Sequence, residues 1–258
     1  MLWRVESAHL PGVSYLFGTM HVKDERVFRR LEAVYKAIDS CDAYAAEFDL
    51  QDAGEGIDPR LFALPEGASL DQLLPAKKYE QLRRVLQKTL QINIDFLKYN
   101  RPLLLSNLIE ERLLQSDMPH SLDEHLWQYA KRLDKNMHGI ETLHEQLKVL
   151  RQISIPRQIQ GLLSTVRNFS SYRRHLLQMA AWYDQGDIYK LYQSTRRGTH
   201  GLRRLLLYDR NMLMADRIAA LIQQETTFCA IGAAHLAGEK GVLRLLKLKG
   251  FHFKAILL

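Results

Sequence analysis

The chain has 258 residues, 47% of them hydrophobic and 25% charged, with 14 Gly and 7 Pro. That composition supports a sizeable buried core and excludes a disordered, fibrous or low-complexity chain. Its 36 Lys and Arg against 29 Asp and Glu give a net charge of +7, which raises the question of an anionic partner. The surplus is confined to one stretch. Residues 151–220 hold twelve basic against four acidic groups, while the rest of the chain holds 24 against 25. Two cysteines, Cys41 and Cys229, are too few for a disulfide framework and have no metal-type spacing; both fall in apolar runs, so buried thiols are expected. No apolar run reaches the roughly 18 residues of a membrane span. The first six residues carry Arg4 and Glu6 where a signal peptide would be apolar. The chain as it stands is expected to be cytoplasmic, or from the envelope or secreted if a leader was removed.

Taken in chain order, short apolar, β-branched or aromatic runs predict strands at 2–6, 13–17, 43–48, 136–140, 227–232 and 251–257. Helical periodicity fills the intervals. Val27, Leu31, Val34, Tyr35 and Ile38 share one face of a predicted helix over 24–39. Further helices are expected at 70–74, 76–91, 143–152, 157–183, 186–196 and 202–224. Ser121-Leu-Asp-Glu124 and Thr142-Leu-His-Glu145 both read as capping boxes. Helices that separate strands predict an α/β fold with a mixed, mostly parallel central sheet. Helical insertions at about 69–132 and 143–224 would flank it. With no Pro, Gly or Ser linker and no solenoid repeat, a single domain over 1–258 is expected.

One internal echo carries the chemistry. Val13-Ser-Tyr-Leu-Phe17 runs into Gly18-Thr-Met-His21, and Thr227-Phe-Cys-Ala-Ile231 runs into Gly232-Ala-Ala-His235. In each, a glycine allows a tight exit or a close approach, and a histidine follows three residues later. Two more strands end in carboxylates: Glu47, with Asp49 two residues on and on the same face, and Glu141. The carboxyl edge of an open α/β sheet is where ligands bind. His21, Glu47 and His235 therefore form a candidate ligand set for zinc, manganese or cobalt, with Glu141 on the same rim.

Leu16-Phe-Gly-Thr-Met-His-Val22, Ala45-Ala-Glu-Phe-Asp49, Gly139-Ile-Glu-Thr142, Asp209-Arg-Asn211 and Ala230-Ile-Gly-Ala-Ala-His-Leu236 resemble the TraB/GumN family, which is related to the Tiki proteases. The resemblance runs from about residue 2 to 252, and the paired Gly-x-x-His turns are its specific element. It implies a fold like that of erythromycin esterase and a haem-binding lipoprotein group. The activity it implies is that of a metal-dependent hydrolase, a metallopeptidase in the animal branch, with bacterial members less defined. His21 and His235 match the motif histidines, Glu47 and Glu141 the acidic positions, and Arg210 with Asn211 a polar pair.

On that basis His21, Glu47 and His235 are expected to hold the ion, with Glu141 or Asp49 as general base. Arg210 would either stabilise an oxyanion or ion-pair with one of these carboxylates, and Asn211 would position a substrate carbonyl. Asp123, in a first helical turn, is a further candidate pocket residue. His9, His120, His125, His138, His144, His175, His200 and His252 are read as ordinary surface or half-buried histidines. Trp182, Tyr183, Tyr189 and Tyr192 are read as core. His144-Glu145 does not complete a His-Glu-x-x-His zinc motif, because residue 148 is Lys; Gly-x-Ser-x-Gly and a phosphate-binding loop are absent. The partner expected is a peptide or protein substrate, with an ester as runner-up and no nucleic acid. The basic segment 151–220 suggests a membrane-surface or substrate preference, and a homo-oligomer stays open. A non-catalytic peptide- or haem-binding role on the same fold is the competing class.

Overall fold

A computed structural model describes all residues except 8–9, 51–58, 115–116, 199–200 and 257–258, so His9, His200 and the end of the last predicted strand lie outside the described residues. Among the described residues six strands form one sheet: β1 (Leu2–Glu6), β2 (Ser14–Thr19), β3 (Ala43–Phe48), β4 (Asn136–Glu141), β5 (Thr227–Gly232) and β6 (His252–Ile256). Their order is β4-β3-β5-β2-β1-β6. The four strands from β4 to β2 run parallel, and β1 pairs antiparallel with β2 and β6. The mixed, mostly parallel α/β sheet expected from the sequence is therefore present.

Period-2 alternation along each strand sorts the core into two layers. Phe17, Tyr44 and Phe228 face one side, where they pack with helix α1 (Glu32–Asp39) and with Leu122, Leu126 and Trp127 of a second helix, Leu122–Arg132. Their neighbours Leu16, Ala45 and Cys229 face the other side, against Met214, Ile218 and Ile222 of a helix over Asp209–Gln224. Burial on both faces is what a parallel sheet requires. Both thiols are buried, and desolvation pushes the Cys41 thiol up to about 12.

The chain divides into two compact units. The first comprises 1–55, 117–146 and 179–258 and contains the whole sheet. The second comprises 56–116 and 147–178 and is helical. It holds α2 (Leu70–Leu73), α3 (Ala76–Leu90), α4 (Pro102–Leu113) and α7 (Ile155–Arg167) around buried Leu70, Leu82, Leu86, Leu105, Ile109 and Leu162. Inside it the Gln158 amide donates to the Ile153 carbonyl at 2.8 Å. Among the described residues the remaining helices, numbered in chain order, are α5 (Leu122–Arg132), α6 (Leu143–Arg151), α8 (Phe169–Asp184), α9 (Ile188–Gly198), α10 (Asp209–Gln224) and α11 (Val242–Leu248). The basic segment is thus shared between the two units.

Three predicted helices differ from their expected course. The helix over 24–39 is a 3-10 turn at Glu25–Phe28 followed by α1, separated by Arg30 at φ 66°. The cause is local: the Asp24 carboxylate accepts from the Arg26 amide at 3.0 Å and from its guanidinium, which competes with a continuous helix. The run 157–183 is split at Asn168 into α7 and α8. The run 202–224 opens on a π-helical turn, Arg204–Tyr208, and continues as α10. A turn of this kind inserts a residue and rotates the side chains beyond it about the helix axis. Both capping boxes form as expected, at Ser121/Glu124 and Thr142/Glu145. Tyr183 and Tyr192 are buried, but Tyr189 is 65% exposed on α9 rather than in the core. Among the described residues no helix is long and apolar enough to cross a membrane.

Candidate functional site at the carboxyl edge of the sheet

Parallel register brings the ends of four strands to one rim: Thr19 of β2 lies opposite Gly232 of β5, and Phe48 of β3 opposite Glu141 of β4. The two Gly-x-x-His turns pack on each other. A Cβ on Gly18 would come within 2.5 Å of Leu236 Cδ1 and 3.3 Å of the Ala233 backbone. A Cβ on Gly232, whose φ is −53°, would sit 3.2 Å from Glu47 Oε2 and 3.5 Å from the His235 ring. Neither glycine is needed for a left-handed backbone. Both are needed for close approach, Gly18 to the second turn and Gly232 to the two functional side chains. Gly18→Ala is expected to cost about 1–3 kcal/mol by over-packing. Urea unfolding measures this, and a variant as stable as the parent would contradict the packing argument.

Glu47 is held by three donors. Gly232 N–H donates to Oε2 at 2.9 Å, Arg210 Nη2 to Oε1 at 2.5 Å, and Gln146 Nε2 to Oε1 at 3.3 Å. Burial pushes the carboxyl up, but the charge that His235 carries once protonated in acid, the charge of Arg210 and the Gly232 amide outweigh it and bring it down to about 2. Glu141, 1% exposed, accepts from Arg210 Nε at 3.0 and 3.1 Å and from Nη2 at 2.5 Å. Gln146 Nε2 also reaches it, at 3.2 Å. Arg210 is thus clamped between two carboxylates, and their charges hold its proton more tightly than usual against the opposing effect of burial.

Arg210 and Asn211 lie in the first turn of α10, about 100° apart around the helix axis, so they serve different neighbours. Asn211 is buried. Its Nδ2 donates to the Lys240 carbonyl at 2.7 Å, and its Oδ1 lies 2.6 Å from His235 Nδ1. Both ends of the amide are therefore committed within the protein. His235, in the short helical turn after β5, is buried, and desolvation lowers it to about 4, so its imidazole is neutral at pH 7.

His21 stands apart from this cluster. It follows β2 by two residues, its side chain is 72% exposed, and Nδ1 lies 3.3 Å from Asp123 Oδ2 in the first turn of α5. Asp49 lies one residue past β3, with its backbone nitrogen 2.6 Å from where a Cβ on Gly139 would sit. The structure thus joins Glu47, Glu141, Arg210, Asn211 and His235 in one contact network. Among the described residues no group of three or more His, Cys, Asp and Glu is arranged to hold a metal ion. The donor chemistry fits a divalent cation in two members: an ionised carboxylate and a neutral imidazole that converge beside Gly232.

Two participants were not found from the sequence. Gln146, one turn into α6, bridges Glu47 and Glu141; its position just after the Thr142 cap was the available signal. Tyr183, expected as core, donates its hydroxyl to the Gly18 carbonyl at 2.6 Å and ties α8 to the first motif turn. Elsewhere His138 bonds Glu225 and His125 bonds Tyr35, ordinary structural roles.

The model of the TraB/PrgY/gumN family matches residues 1–255. Among curated proteins the chain is 28% identical to metalloprotease TIKI2 of Danio rerio over 97% of its own length and 60% of that protein's. It is 26% identical to metalloprotease TIKI1 of Homo sapiens over 92% and 59%. A metalloprotease TIKI homolog of Amphimedon queenslandica is 24% identical over 97% and 60%. The chain therefore spans about three fifths of the length of the relatives it matches. No solved structure matches it. With the paired Gly-x-x-His turns set against each other at the rim of the sheet, and the family match running through both, the chain belongs to the TraB/PrgY/gumN family.

Proposed function

We propose that this chain is a divalent-metal-dependent hydrolase, a metallopeptidase whose substrate is a peptide or protein. The observation that carries the proposal is the pairing, beside Gly232, of an ionised Glu47 with a neutral His235 whose Nδ1 is already engaged. Carboxylate and imidazole are the donors that zinc, manganese and cobalt accept. His21, on the adjoining strand end, is proposed as the third ligand once its ring leaves Asp123. Held there, a divalent ion would supply Lewis-acid chemistry, the polarisation of a carbonyl and a more acidic water.

The chain's own residues supply the rest. Arg210 Nη1 donates to neither carboxylate and suits the oxyanion of a tetrahedral intermediate, in a guanidinium pre-set by its neighbours. Glu141, with both oxygens on Arg210, is better suited to hold that side chain than to take a proton. Asp49 is then the remaining candidate base. The relatives' printed names, all metalloproteases, favour a peptide bond over an ester.

The test is cleavage of a peptide library by protein purified without chelators, with manganese, cobalt and zinc added in turn. Parent, Glu47→Gln and His235→Ala are compared, and bound metal is measured alongside. Metal-dependent cleavage that both variants lose is expected. Equal cleavage by all three proteins would reject the site, and a parent that neither binds metal nor cleaves would leave a binding protein on this fold.

A further inference from the structure

We propose that Asn211 is a positioning residue that fixes His235 in the tautomer protonated on Nδ1, so that Nε2 carries a lone pair. The inference deepens the function proposed above, in which His235 is a metal ligand, because Nε2 is then the atom that meets the ion.

The argument starts from a backbone carbonyl. The Lys240 C=O only accepts, so the Asn211 atom that faces it at 2.7 Å must be the amide nitrogen. The other end of the same side chain is then the oxygen, and that oxygen lies 2.6 Å from His235 Nδ1. An amide oxygen also only accepts, so Nδ1 must carry the proton. A neutral imidazole has one ring proton, which leaves Nε2 bare. A chain of two bonds anchored in the 236–241 loop thus dictates which histidine nitrogen is open. In solution the imidazole side chain prefers the opposite form, protonated on Nε2, so the protein reverses an intrinsic preference.

The setting makes Asn211 rigid enough to do this. It is 1% exposed, it sits in the first turn of α10, and its helix is fixed next door by the Arg210 clamp on Glu47 and Glu141. The loop that presents the Lys240 carbonyl is pinned as well. Gly238, at φ 94°, lies against the ring of Tyr192, where a Cβ would come within 2.5 Å. Hydrogen bonds of this kind from the outer nitrogen orient ligand histidines and raise their affinity for metal.

The test is a long-range ¹H–¹⁵N correlation spectrum of the metal-free full chain near neutral pH, with the His235 signals identified by their loss in His235→Ala. The parent is expected to show a protonated Nδ1 and a bare Nε2. Asn211→Ala should show both tautomers and bind manganese roughly 10–100-fold more weakly. If that variant does not fold, Asn211→Thr replaces it, since a hydroxyl both donates and accepts and no longer dictates the tautomer. A parent protonated on Nε2, or an unchanged pattern in the alanine or threonine variant, overturns the proposal. A parent that binds none of manganese, cobalt and zinc but whose tautomer responds to Asn211 as described refutes the metal-binding function and leaves the role of Asn211 standing.

Discussion

Arg210→Met is expected to destabilise the protein by about 3–5 kcal/mol, because it leaves one buried and one half-buried anion without their shared cation. Arg210 is 15% exposed, Glu47 23% and Glu141 1%, so solvent cannot take over the pairing. The loss should show as a lower urea midpoint with little change in slope. The diagnostic comparison is with Arg210→Met combined with Glu141→Gln. Neutralising the deeper carboxylate removes most of the uncompensated charge, so the double variant should be more stable than the single one. Additive losses would mean that the carboxylates do not depend on Arg210, and the clamp would have no energetic content. The same single variant should lose cleavage in the peptide assay, since it removes the proposed oxyanion donor.

The second large effect is a fall in stability of the metal-free protein from near-neutral to acid pH, in two windows. His235 is lowered from 6.5 to about 4, so the unfolded chain takes up this proton more readily than the folded one. Its contribution is complete above pH 6.5 and is lost as pH falls towards 4, an effect on the order of 3 kcal/mol. Glu47 is lowered from 4.5 to about 2, so its contribution is present above 4.5 and is lost as pH falls towards 2, by a similar amount on the order of 3 kcal/mol. Glu145, which Arg217 hydrogen-bonds and also holds at about 2, adds to the lower window. Urea unfolding at a series of pH values in chelator measures the profile. His235→Gln should flatten the upper window and also narrow the lower one, because the charge His235 takes up in acid is the largest of the effects that hold Glu47 down. A parent whose stability is level between pH 6.5 and 4, or a variant with the parent's slope there, would contradict the buried neutral imidazole.

Much of this architecture was legible in the residues. The alternation that sends Leu16 and Phe17, Tyr44 and Ala45, Phe228 and Cys229 to opposite faces is written into the strands, because successive side chains on a strand must point opposite ways. The two capping boxes form where hydroxyl and carboxylate stand three residues apart. Breaks inside helices were less legible. Apolar periodicity continues across Arg30, Asn168 and the π turn at Arg204–Tyr208, and nothing in it records whether backbone hydrogen bonds do the same.

By itself the sequence determined that four strands would carry His21, Glu47, Glu141 and His235 to their carboxyl ends, since the spacing of each residue from its strand is a local property. It also determined the α/β class and the confinement of the +7 charge to residues 151–220. Which side chains meet was decided only by the tertiary structure. Arg210 could be written down as oxyanion donor or as ion-pair partner, and the packing of α10 against the sheet edge put it on both carboxylates. Asn211, expected to face a substrate, spends both ends of its amide on His235 and Lys240. His21 and His235 hold equivalent places in the two motifs, yet one ring is buried and the other lies exposed beside Asp123. The reason is that each of these outcomes depends on residues from dozens to more than 160 positions away in the chain. Such partners have no fixed spacing, and only the register of the strands and the docking of α5 and α10 brings them within hydrogen-bonding reach.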